Sequence, residues 1–130
     1  MTFEDCLPAI SHIDSVFGPS DRRSLDVISL RVEMLSQRGL HNKTEVEATK
    51  LVQRAQMIEN DDWQRFYNLT RGWYFVGCAQ YFLQKRELAI GSLSSALRYA
   101  DELGKIEDFN IFNSERATIA KYLKDLKGDD

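Results

Sequence analysis

The sequence predicts an all-α protein: five to six helices, paired as antiparallel hairpins, stacked in a short array or a compact bundle. Three observations carry that prediction. Apolar residues recur at three- and four-residue spacings through most of the chain. Only two Pro and seven Gly are available, too few for the many tight turns of an all-β fold. The stretch from Arg71 to Gly104 places small residues where two helices would have to approach closely.

At 130 residues, with 43% hydrophobic and 28% charged side chains, the chain 1–130 has the size and balance of a single domain with its own core. A net charge of −3 gives no general electrostatic reason to seek nucleic acid. No run reaches the length of a membrane span, and the N-terminus lacks a basic, then apolar, leader. Cys6 and Cys78 lie far apart without companion ligands, so neither a zinc site nor a disulfide framework is implied. Reduced thiols in a cytoplasmic setting are the default expectation. The charge is uneven, however: residues 71 to 100 hold four bases against one acid, and residues 101 to 130 hold eight acids against five bases.

The first helix is expected over about 2–17, capped by Thr2 with Asp5 three residues on and shortened or bent by Pro8. Ser20 is read as the cap of a second helix from Asp21 to about Gln37. Its stripe is Leu25, Ile28, Val32 and Leu35, and Gly39 is its terminator. Thr44 and Glu47 form a capping-box pattern that predicts a third helix starting at Thr44, with Ala48, Leu51, Val52, Ala55 and Ile58 on one face and Asn60 at its end.

From Asp61 to about Gln84 there is no Pro, and apolar residues occupy several sides. This pattern predicts a central helix, with Gly72 as a place where it could bend. A fifth helix is expected from Glu87 to Leu103, stopped by Gly104. The last is expected over about 108–127, with Phe109, Phe112, Ile119, Ala120, Leu123 and Leu126 facing inward.

Within residues 70–104, Trp73, Val76, Gly77, Ala89, Leu93 and Ala96 fall in the order of a tetratricopeptide repeat, and this segment resembles one such repeat. Gln80 departs from the usual tyrosine and Asp101 from the usual proline, and neighbouring repeat lengths recover few matches. The resemblance implies stacked helix pairs that present a concave face to a peptide or protein. On that reading Arg71, Tyr74, Cys78 and Tyr81 line the partner-binding edge. The Lys and Asn clamp with which some members of that family hold a C-terminal carboxylate is not found.

No phosphate-cradling loop, metal-binding histidine pair or nucleophile elbow stands in the sequence. His12 and His41 read as ordinary side chains, and Asp61-Asp62 as acids favoured by a helix start. No cofactor or metal is implied, and no catalytic residue is assigned. The function expected is therefore non-catalytic: an adaptor, chaperone or inhibitor. The competing readings are homodimerisation through exposed aromatics and, with less support, a small-ligand sensor or helical-bundle enzyme.

Overall fold

The structure, a computed structural model, describes residues 1–106 and 111–128. These residues form six helices and no strand: α1 (Phe3–Phe17), α2 (Arg22–Gln37), α3 (His41–Gln56), α4 (Asp62–Phe82), α5 (Arg86–Ile106) and α6 (Asn113–Lys127). Sequential helices pack as antiparallel neighbours. The backbone of α4 crosses that of α3 at Gly72 and Val52, and that of α5 at Gly77 and Leu93. No helix among the described residues is long and apolar enough to cross a membrane.

Each boundary has a local cause. At the start of α1, Asp5 accepts from both the Thr2 N–H (3.1 Å) and the Thr2 hydroxyl (2.8 Å). The helix then continues through Pro8 to Phe17, so Pro8 does not shorten it. The cap of α2 is Asp21 rather than Ser20, because the Asp21 carboxylate accepts from the Arg23 N–H at 2.9 Å. The predicted stripe Leu25, Ile28, Val32 and Leu35 is buried.

Gly39 ends α2 as expected, in the left-handed region at φ 71°. Its N–H donates to the Ser36 carbonyl and that of Leu40 reaches back to Leu35, the double closure of a Schellman turn. The chain re-enters a helix at once. In consequence α3 begins at His41, three residues before the expected Thr44. Thr44 is buried inside the helix and donates its hydroxyl to the Leu40 carbonyl at 2.9 Å.

Asn60, at φ 60°, is a turn residue, and Asp61 caps α4 by accepting from the Gln64 N–H. The fourth helix is continuous through Gly72 and buries residues on several sides, which makes it the central element. The fifth runs past Gly104 to Ile106, so Gly104 is a helical residue rather than a stop. The sixth begins at Asn113; the part of the sequence expectation that covers Asp108 and Phe109 lies outside the described residues. Within α6, Ala120 is exposed, and Ile119 carries the inward contact.

The core has three connected parts. The largest joins α1 to α4 through Ile10, Leu25, Val32, Leu51, Val52 and Val76. A second joins α4, α5 and α6 through Cys78, Leu93, Ala96 and Ile119, with Trp73 packed against both. A third places Phe112 against Leu103 and Ala100, with Trp63 and Tyr67 beside it. Gly77, Ala89 and Ala96 occupy the α4–α5 hairpin, where an added Cβ on Gly77 would lie 2.6 Å from Leu93 Cδ2.

Candidate functional site

The sequence singles out one stripe of α4, and the structure divides it. Tyr74, Cys78 and Tyr81 face α6. Tyr81 stacks on Tyr122 with ring centroids 4.0 Å apart and planes 9° from parallel, and its hydroxyl donates to Asp125 at 2.6 Å. Tyr74 meets Thr118 and Cys78 with its hydroxyl. Arg71 stands apart: it reaches Glu33 of α2 at 3.7 Å and lies near the rings of Tyr67 and Phe75. Three of the four residues therefore share one seat, and α6 is its occupant.

The electrostatics of that seat suit packing rather than chemistry. Burial pushes the Cys78 thiol up to about 12, so at neutral pH it stays protonated and is a poor nucleophile. Burial also raises Tyr74, with the neighbouring Cys78 adding to the effect. Tyr81 is raised by its hydrogen bond to Asp125, which favours the neutral phenol as donor.

Gln80, where the repeat pattern has a tyrosine, ties three helices together. Its amide oxygen accepts from the Ser92 hydroxyl at 2.6 Å, and its amide nitrogen donates to Glu45 at 3.0 Å. Lys85 donates to the other Glu45 oxygen at 2.6 Å. Burial pushes the Glu45 carboxyl up, but the hydrogen bonds from Lys85 and Gln80 and the lysine charge outweigh it, leaving a net lowering. A comparable node holds α1 to α2 and α3: Asp14 accepts from Ser24 at 2.6 Å and from Arg54 at 2.8 Å. Two further polar side chains named from the sequence have partners within the fold. His41 stacks on Phe82, and Asp62 accepts from Arg65.

An open cleft lies elsewhere, where the start of α1 meets the α2–α3 turn. Its volume is about 400 Å³, and Phe3, Arg31, Leu35, Leu40, Asn42, Lys43, Val46 and Glu47 line it. Leu35 is fully buried, whereas Leu40 and Val46 are 41% and 55% exposed. The Arg31 and Arg38 guanidinium carbons sit 4.3 and 4.7 Å from the centroid of the Phe3 ring. The helical stripes do not point to this place, because Leu40 and Val46 stand off the buried faces of α2 and α3. The available signal was a pair of apolar residues off the buried stripe of α3, flanked by Arg38 and Lys43. Compared with known proteins, the chain matches no family model, no curated protein and no solved structure.

Proposed function

We propose that this protein is a small non-catalytic interaction module, of the adaptor, chaperone or inhibitor kind, that holds a peptide or protein segment between stacked helices. The observation that carries this reading is the open cleft of α1, α2 and α3. Large apolar side chains stand exposed there over a buried leucine, in a concavity sized for a side chain of a partner. The tetratricopeptide-like hairpin α4–α5 supports the same reading in a second way, since its outer seat already accepts an amphipathic helix, α6. Tyr74, Cys78 and Tyr81 then serve that helical seat, and Arg71 lies apart from it, paired with Glu33 of α2.

The test is capture by the full chain, with the bound partner identified and compared between the native protein and a Leu40→Asp/Val46→Asp variant. Both positions are exposed, so the variant should keep its helical circular dichroism. Loss of one stoichiometric partner is expected; undiminished capture by a folded variant rejects the assignment. Homodimerisation is the second reading, favoured by Leu7, Val16 and Phe17, all half-exposed or more on α1. Sedimentation equilibrium at micromolar concentration decides it, and a strictly monomeric protein removes it.

A further inference from the structure

We infer that the cleft between α1, α2 and α3 recognises an acidic peptide segment that inserts one bulky apolar side chain. The inference rests on the interaction-module reading and gives its partner a chemistry. The apolar half of the recognition comes from the lining. Leu35 forms the floor, Phe3, Leu40 and Val46 form the walls, and about 400 Å³ accommodates a leucine- or phenylalanine-sized group.

The acidic half comes from the charges around that lining. Arg31 and Lys43 line the cleft, and Arg38 lies over the same Phe3 ring as Arg31. Glu47 is the one carboxylate in the lining, and it is shared between Arg31 Nε at 3.8 Å and Lys50 Nζ at 3.5 Å. Arg31 Nε is buried and makes no hydrogen bond. Among the described residues, neither Arg38 nor Lys43 has a carboxylate within ion-pair distance. The cleft also sits at the start of α3, whose first turn carries no acid and whose cap residue, Leu40, has no side-chain acceptor. The positive end of the helix dipole therefore adds to the cations instead of being neutralised. A chain of net charge −3 thus presents a locally positive rim around an apolar hole. Carboxylates on a partner would pair with the exposed Arg38 and Lys43, which have no acid of their own among the described residues, while a basic segment would be repelled.

The experiment selects a displayed library of short random peptides against the full chain and measures the winners by fluorescence anisotropy. Enriched peptides should combine one bulky apolar residue with two or more Asp or Glu. Their affinity should fall about tenfold or more for Arg38→Glu/Lys43→Glu, both on the surface, and for Val46→Asp, and should weaken with added salt. Winners without net negative charge that still depend on Val46 would overturn the acidic assignment while leaving the interaction module standing. Winners indifferent to both variants, or no winners at all, would overturn the cleft as the peptide site; the capture experiment then judges the module reading separately. Binding to phosphatidylserine vesicles in place of peptides would overturn it as well.

Discussion

Replacing Gly77 by alanine should destabilise the protein, although alanine is the better helix former. In an exposed helix the exchange would gain about 1 kcal/mol. Here the new Cβ would lie 2.6 Å from Leu93 Cδ2, 2.7 Å from its Cγ and 3.1 Å from its backbone nitrogen. Ordinary carbon contacts are about 3.5–4.0 Å, so the side chain overlaps by roughly 1 Å and the backbone is also crowded. Leu93 has no accessible surface and its backbone nitrogen is crowded as well as its side chain, so relieving the overlap requires the α4–α5 seam to repack. Overpacking of this kind costs about 3 kcal/mol at the upper end of its usual range, which leaves a net loss of about 2 kcal/mol.

Gly91 supplies the control within the adjoining helix. Nothing lies within 4 Å of its added Cβ, so Gly91→Ala should stabilise by roughly 0.5–1 kcal/mol. Urea unfolding followed by circular dichroism at constant m-value measures both. The double variant Gly77→Ala/Leu93→Ala should show a favourable coupling of about 1 kcal/mol, because removing the leucine relieves the overlap. If Gly77→Ala is as stable as the native chain, or if the two glycines respond alike, the close α4–α5 seam is wrong.

Gln84 holds φ 61° at the end of α4, where its N–H and that of Lys85 close a Schellman turn, so Gln84→Gly should stabilise by about 0.5–1 kcal/mol in the same urea assay. The Asp14 carboxyl is lowered by its hydrogen bond from Arg54, with burial opposing, and Glu45 is lowered as described; both therefore contribute stability above the ordinary carboxylate range that is lost as pH falls below about 4. Asp14→Asn should cost about 1.5 kcal/mol at pH 7 and flatten this acid limb in urea titrations at several pH values; an unchanged limb refutes the node. Because α6, among the described helices, packs only on α4 and α5 and buries only Ile119, its amides should exchange with deuterium through a smaller opening than those of α4. Equal protection of α4 and α6 would show that α6 is integral to the cooperative core.

The helix stripes were legible because buried spacing and helix period coincide: Leu25, Ile28, Val32 and Leu35, all buried, fall on one face of an α-helix, whereas a strand would split them between its two faces. The small residues of the α4–α5 hairpin were legible for a related reason, since Gly77 and Ala96 matter through what they omit. Thr44-x-x-Glu47 misled because its signature is also compatible with a helix interior, where the threonine hydroxyl bonds the carbonyl four residues back. Gly104 misled because a glycine with open space around it is tolerated in a helix as long as its neighbour Leu103 remains buried. The stripe of Tyr74, Cys78 and Tyr81 was visible, but its occupant was not: an amphipathic pattern in α6 says that one face is covered, not which groove covers it. The cleft was hidden for a geometric reason, since its walls come from three helices and a turn.

That turn links backbone chemistry to the proposed binding surface. In a Schellman closure the residue after the left-handed position packs against the residue five places earlier, which here sets Leu40 beside Leu35. Both line the cleft, so the φ 71° of Gly39 positions one wall of it. Gly39→Ala should cost about 1–2 kcal/mol from its left-handed backbone, since an added Cβ meets nothing within 4 Å and adds no clash. Asn tolerates the same conformation better, so Gly39→Asn should cost less than the alanine variant. The two variants differ mainly in how well they hold the turn, so peptide affinity should follow the same order as stability: native, then Asn, then Ala. Variants that lose stability in this order while binding peptide equally well would show that the cleft does not depend on the turn.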